Sequence, residues 1–479
     1  MATNQPTETE PLLARSDPIP PNEREEDSPK LPKLLSVVAV ASICRGISMY
    51  SRYESFRYSP QAWHTAWVAF PGLTIDMELW STWASLVVSF ASVGWWSAFS
   101  DRRGRKPVLF VSLLGPVVLD FIFLTIAKSS LHDDAISVGL IIEGLLGGFP
   151  TFAAVIHAYA SDLSLSMLSR TVMFGTIQAA MVIFFIVGGY FGVLADRASD
   201  LLGLRHGQNL AFSLGIILAS ANLTYVYSAL PESFAPSTIE DPPVPPAANS
   251  TLKYIFAPFS TFLRKGPSRR QIFFLATSTF FYSWTLALGP RLVKSTADAG
   301  FFSFLPRWLL IIIPNIAALL TWLCVIPALA SLVKRTYGDT ETSGRLLAKS
   351  LAQNSILLAA LCTLGILIFG GVRSSPLYAL FFSLYPLTAG ALPALYALAA
   401  SYWVALDRSA ELGALFGALS IWVSWGEYMS YSTFNWSYIT WGLQWSSFFL
   451  IVSLLFLVPD GPPPRAGALV VDQTDDAVV

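Results

Sequence analysis

Four ionisable residues stand inside long apolar runs: Arg45 in "ASICRGISMY", Asp120 in "PVVLDFIF", Glu143 in "GLIIEGLLGG" and Glu427 in "WVSWGEYMSY". A charge in an apolar medium is costly to keep, so each is a candidate for function. A carboxylate in such a place can bind and release a proton, which makes Glu143, Glu427 and Asp120 candidate proton-coupling groups. Asp120 can equally serve as the structural partner of a Lys or Arg, and Glu427 can sit at an interface with no special role. Arg45 can hold an anion or form an ion pair with a carboxylate from another segment. His157 has no second His nearby and reads as a hydrogen-bonded helix residue.

A different kind of cluster lies in "SDRRGRKPVL", which packs five charges into the six residues from Asp101 to Lys106 in a chain that is only 13% charged. Gly104 permits a tight backbone turn between two antiparallel helices. Asp101, at the end of the preceding helix, can face the partly positive N-terminus of another. Such a contact is a latch that holds helices together in one conformation and releases them in another.

The elements that position these residues follow from composition. The chain has 479 residues, 54% of them hydrophobic and 14% aromatic, with a mean hydropathy of +0.55. That is too apolar for an ordinary soluble domain. A bilayer core of roughly 30 Å is crossed by about 20 mostly apolar residues in a helix. Twelve such spans are expected, at 34–50, 79–99, 107–127, 135–160, 171–195, 209–230, 271–290, 305–333, 350–370, 377–402, 411–430 and 439–458. The expected fold class is an all-α membrane protein of two pseudo-symmetric six-helix bundles, 34–230 and 271–458. Polar residues 231–270, with "STIEDPPVPPAANS", form the linker, and residues 1–33 and 459–479 form polar tails. No apolar stretch before residue 34 suits a cleaved signal, so the first span is expected to anchor the chain.

Orientation follows from the Lys and Arg of the short loops, which favour the cytoplasm. Fifteen fall on the side of both tails and nine on the other. Both termini are therefore expected to be cytoplasmic, in agreement with an even number of spans. A net charge of −1 gives no case for a nucleic-acid partner. No phosphate-binding glycine loop, paired-cysteine motif or zinc motif is present, so no metal or cofactor is expected. Cys44, Cys324 and Cys362 lie in apolar runs and read as buried structural thiols. Pro116, Pro150, Pro314, Pro327, Pro386 and Pro393 fall in or near span interiors, where they kink helices and offer bending points.

"SAFSDRRGRKPVL" resembles the loop motif of the major facilitator superfamily, G-x-x-x-D-R-x-G-R-[RK], with Asp101, Arg102, Gly104, Arg105 and Lys106 in place and Ser97 where the leading Gly stands. "AYASDLSLSMLSRTVMFGTIQAA" and the "LPES" that closes span six are also similar to family segments. "ASYWVALDRSAELGALFGALS" at 400–420 echoes the first half, pairing Phe416 and Gly417 with Phe174 and Gly175. Within the superfamily the chain looks nearest to fungal members similar to proton-coupled folate transporters and tetracycline-type carriers.

The resemblance implies a secondary active transporter of a small organic solute working by alternating access. It also implies that Asp101 meets the start of span eleven near Glu411 to Gly413 and that Arg105 pairs with Asp162. The cavity would be lined by spans one, four, seven and ten, with Arg45 and Glu143 as polar contacts and Tyr282, Trp284 and Tyr396 as aromatic walls. Glu143 stands where many members carry an Arg, and Tyr190 stands where drug antiporters carry the Pro of a Gly-Pro pair. The second departure favours proton symport over efflux. A non-transporting nutrient sensor of the same fold is an alternative, whereas a membrane enzyme has no identifiable reactive constellation. The expected partners are a small-molecule substrate, membrane lipid and protons, with the chain acting as a monomer. "ETEPLL", with Glu8 before Leu12 and Leu13, fits an acidic dileucine signal, which leaves vacuolar or lysosomal membrane and plasma membrane as the alternatives.

Overall fold

The computed structural model describes residues 30–58, 77–128, 134–164, 166–202, 207–233, 269–298, 307–369, 376–405, 411–432, 445 and 447–454. The fold is all-helical among these residues. Span one is the helix Lys30–Tyr58, span two Met77–Arg103, span three Arg105–Lys128, span five Met167–Leu201 and span six Gly207–Ser228. Spans seven, nine and eleven are Arg269–Asp298, Glu341–Phe369 and Leu412–Ser432. Of span twelve, residues 447–454 are described and helical. Eight helices among the described residues are long and apolar enough to cross a membrane.

Several helices run past the expected limits, span one by eight residues to Tyr58. Hydropathy marks where lipid ends, but a helix continues for as long as its backbone bonds are cheaper than a turn. The sequence at the far end of span one, residues 51–58, contains no Gly or Pro to stop it. This extension carries Arg52, expected in a loop, up along the bundle.

Three spans are interrupted at the places their helix breakers suggest. Span four is Asp134–Leu145 followed by Gly148–Leu163, with Gly147 and Gly148 at φ of 98° and 54°. Only glycine enters that region at low cost, and Pro150 then lies in the first turn of the second piece, where its missing N–H is not needed. Span eight passes from Arg307–Leu320 through a π-helical turn at Thr321–Val325 into Ile326–Tyr337, with Pro327 just after the turn. Span ten passes from Pro376–Leu384 through a 3-10 stretch at Tyr385–Gly390 into Ala391–Val404.

Pro393 cannot donate to the carbonyl four residues back, that of Ala389. The indole Nε1 of Trp322, on the π turn of span eight, donates to this oxygen at 2.7 Å. The two irregular segments thus repair one another. Trp322→Phe keeps the ring bulk and leaves the buried carbonyl without this donor, an expected loss of about 1–3 kcal/mol. A lowered melting midpoint of the purified protein in detergent would show it, and an unchanged midpoint would contradict the assignment.

Spans one and five approach closely because Gly46 and Gly188 let their backbones touch. A Cβ on Gly188 would collide with the carbonyl of Ile43, and one on Gly46 with that of Phe185. Close backbone contact through small residues is how membrane helices gain packing without a hydrophobic driving force. Between the first six spans and the rest, contact runs through span eleven against spans two and four, and through span five against spans eight, nine and ten. Cys44 and Cys362 are buried as expected. Cys324, on the π turn of span eight, is exposed and not buried as expected.

Candidate functional site: a latch, an aromatic plug and a charged cluster

At the end of the bundle where spans two and three join, Gly104 turns the chain at φ 103°. A Cβ there would also strike the carboxylate of Glu232. That carboxylate accepts from the backbone N–H of Arg105 at 2.7 Å and of Lys106 at 3.1 Å, so it caps the start of span three. Helix starts leave such donors unsatisfied and attract negative charge. Glu232 is the acid of "LPES", whose capping role the sequence reading did not assign. Its position one helix end away from a basic turn was the available signal.

Asp101 makes the corresponding contact across the two halves. Its Oδ1 accepts from Gly413 N at 2.7 Å and its Oδ2 from Ala414 N at 2.8 Å, at the first turn of span eleven. The Arg105 side chain is fully buried. It donates through Nε to Asp162 at 3.1 Å and through Nη1 to Ser100 at 2.9 Å, and it pairs with Asp101. Ser233 Oγ adds a bond to Asp162 at 3.0 Å, and Tyr159 donates to the carbonyl of Pro231 at 2.6 Å. Arg102 is exposed, and Lys106 joins through its backbone. Ser97 packs on Gly417, where a Cβ would collide with the serine side chain. The small residue that the motif requires is thus kept in a form that still lets spans two and eleven meet.

On the opposite flank of this end, Asp339 takes a 3.0 Å salt bridge from Lys334 and a hydrogen bond from Ser166. Ser166, Met173 and Thr176 line a cleft of about 280 Å³ there with Ala330 and Lys334. Lys334 and then Ser166 hold the Asp339 carboxyl below the usual carboxylate range. Its depressed folded value means that the pair's stability is present at neutral pH and is lost only as pH falls through that value. The pair is exposed, so Lys334→Ala should cost less than about 1 kcal/mol, far below any change at Arg105. Thermal melts of the two variants side by side would check this ranking.

Above the latch, His157, Phe174, Tyr396 and Phe416 from spans four, five, ten and eleven form a buried aromatic plug. His157 and Tyr396 lie 4.6 Å apart by ring centroid, Phe174 and Phe416 5.6 Å. The two phenylalanines are those paired by the internal echo of the sequence, and they meet between the halves. His157 Nδ1 lies 2.6 Å from the carbonyl of Ala153. A carbonyl only accepts, so the proton is on Nδ1 and the ring is held as a helix residue.

Beyond the plug, on the side away from the latch, lie the charged groups. Arg45 is exposed, Glu143 half-buried and Glu427 exposed. The Arg45 guanidinium stands 3.6 Å from the centre of the Phe149 ring, and Arg45 lies within Coulombic reach of both Glu143 and Glu427. Glu427 in turn acts on Tyr396 at the top of the plug. The three charges, from spans one, four and eleven, therefore lie near one another. The approach of Arg45 and Glu427 brings span eleven, which was not among the expected lining spans, beside span one.

Asp120 is placed differently. It accepts from Arg52 Nη2 at 2.9 Å and from Ser48 at 2.5 Å and is buried, so it is the structural partner of an arginine. Tyr282 is buried with its hydroxyl donating to the carbonyl of Thr388 at 2.8 Å. Trp284 stacks on Phe281, which stacks on Phe449 of span twelve. Of the three aromatic residues expected to line the cavity, Tyr396 lies within Coulombic reach of Glu427, and the backbone of Trp284 abuts Gly426 beside that glutamate. Arg52 and Phe149 complete the site unannounced by the sequence reading, Arg52 because it was assigned to a loop.

This helical bundle, with its halves in contact at the Asp101 turn, has the fold of solved major facilitator superfamily transporters. The human organic anion transporter MFSD10 (TETRAN) superposes with a TM-score of 0.64 at 17% identity, over 92% of this chain and all of that one. FucP in the outward conformation gives 0.58 at 11% identity, over 88% and 97%. The proton:xylose symporter XylE gives 0.57 at 12% identity, over 90% and 96%. In sequence, the chain is 33% identical over 137 residues to the MFS-type transporter avaJ of Aspergillus versicolor. That match spans 28% of this chain and 25% of the fungal protein. No protein-family profile matches the chain.

Proposed function

We propose that the chain is a secondary active transporter that moves a small organic solute by alternating access, in symport with protons. One observation carries the reading. Asp101 and Arg105 and the plug join the halves at one end, while an arginine on span one lies within Coulombic reach of a carboxylate from each half beyond them. Residues 34–230 and 271–458 act as the two rocking halves, joined by the linker 231–270. The Lys and Arg distribution puts the latch and both tails in the cytoplasm, so the described conformation is the outward-facing one. A single copy carries both halves of the cavity, so a monomer suffices. Among similar structures, FucP and XylE are named as proton symporters, which supports the coupling ion. The acidic dileucine at Glu8 to Leu13 lies outside the described residues and favours delivery to the vacuole over the plasma membrane.

Proteoliposomes holding the full chain, preloaded with unlabelled solute and offered the same solute in labelled trace, test the transport claim. Pools of organic anions, cations, sugars and peptides cover the solute classes. Transient accumulation of label from one pool is expected. Correctly inserted protein that catalyses counterflow of no pool would favour the sensor.

A further inference from the structure

We propose that the acidic segment 23–27, just ahead of span one, docks across the cleft between spans five and eight and straps the two halves together at the latch end. Residues 1–29 lie outside the described residues. The described chain starts with Lys30, and Leu31 lines this cleft with Leu168 and Val172 of span five and Ala330 and Lys334 of span eight. The tail therefore enters span one at the edge of a cleft whose other wall belongs to the second half. Residues 23–27 read Glu-Arg-Glu-Glu-Asp, four acids and one Arg. Three to seven residues separate them from Lys30, a reach of roughly 10–25 Å. That reach covers a cleft of about 280 Å³.

The far wall carries the opposite charge. Lys334 and Arg335 lie in the last turn of span eight and are both exposed. Lys334 already pairs with Asp339 at 3.0 Å. An ammonium has three donors and an exposed pair holds weakly, so Lys334 can take a tail carboxylate as well. Glu341 is met by Arg345 at 3.6 Å and lies within Coulombic reach of Arg170. On this flank Arg170, Lys334, Arg335 and Arg345 thus outnumber Asp339 and Glu341. A single exposed pair contributes little, but the tail is tethered at Lys30, and a short linker holds it at millimolar local concentration. An acidic run is also repelled by the anionic lipid of a membrane surface, which turns the segment toward the protein. Because Lys30 belongs to the first half and Lys334 to the second, the contact forms when this end is closed and is lost when the halves part.

The test places spin labels at Asn22→Cys and Tyr337→Cys in the full chain, with Cys324→Ser removing the exposed native thiol. In nanodiscs of neutral lipid, without solute, the distance should be short and narrowly distributed at about 20 mM salt and long and broad at about 0.5 M. Replacing Glu23, Glu25 and Glu26 by Gln and Asp27 by Asn should give the long distribution at low salt, as should Lys334→Gln with Arg335→Gln. Reversing both sides together, Glu23→Lys, Glu25→Lys and Glu26→Lys with Lys334→Glu and Arg335→Glu, should restore the short one. A second label pair, Arg103→Cys and Thr342→Cys, reads the latch end itself, and neutralising the tail should raise its open population about fivefold. A broad distance in the parent at low salt, or one that neither set of neutral variants changes, would overturn the docking. Loss of the short distance when anionic lipid is added at constant salt would give the basic wall to lipid headgroups, and its loss on dilution with unlabelled protein would give it to a second copy's tail. Either would overturn the inference. Docking that leaves the second label pair unchanged would overturn the strap. None of these measurements uses transport, so a chain that shows no counterflow would leave the inference standing.

Discussion

Asp101→Ala should shift the protein out of the described conformation and reduce solute uptake by about two orders of magnitude. The substitution removes the acceptor of two N–H groups at the start of span eleven, and it takes one of two carboxylates from the fully buried Arg105. Breaking a buried ion pair from one side costs about 3–5 kcal/mol, because the remaining charge stays out of water with less compensation. That cost falls on the conformation in which the latch is closed. With the halves apart at this end, water can satisfy the same groups, so the open conformation loses little. A differential penalty of 3 kcal/mol changes a two-state ratio more than a hundredfold. Spin labels at Arg103 and Arg335, exposed at the latch end of each half, report the shift as a longer distance. The distance should lengthen in Asp101→Ala and stay short in the parent. Equal distributions in both would show that the contact is a topology signal with no hold on the conformation. Asp162→Ala should act in the same direction, since it removes the other carboxylate from Arg105.

The second large effect is expected from Glu143→Gln. The amide keeps the size of the side chain and cannot carry a proton, so coupled uptake should fall at least about a hundredfold, a barrier change near 3 kcal/mol. Counterflow needs no net proton transfer and should survive. Glu427→Gln should show the same division, while Asp120→Asn should not. Asp120 is tied to Arg52 and Ser48, so its loss should appear as lowered stability. Uptake and counterflow measured on one set of vesicles separate the roles. Parallel loss of both activities in Glu143→Gln would make that residue structural or solute-binding and remove it from coupling.

Much of this was legible in the sequence because it is written in local chemistry. The residues 101–105 themselves predicted a turn at Gly104 and a helix start facing Asp101, the family resemblance implied the place near Gly413 and the partner Asp162, and the structure puts those residues in contact. Pro150, Pro327 and Pro393 marked the interrupted spans, since a missing N–H acts on its own backbone wherever the segment packs. What depends on facing was not legible. Tyr282 and Trp284 lie on an apolar helix whose rings all look alike in sequence, and the packing of spans seven, ten and twelve decides which of them reaches a cavity. Arg52 was hidden for another reason. Hydropathy ends at the lipid boundary, whereas the helix that carries it runs on to Tyr58. Cys324 was misread because an apolar run does not say which of its residues face the bundle and which face outward.

The most direct test of proton-coupled transport is proton movement itself, in proteoliposomes loaded with a pH-sensitive dye and challenged with the solute pool that supports counterflow. The account predicts internal acidification that depends on the solute, collapses with a protonophore and disappears in Glu143→Gln while counterflow persists. Solute entry with no change in internal pH, from correctly inserted protein, would contradict it and leave a uniporter.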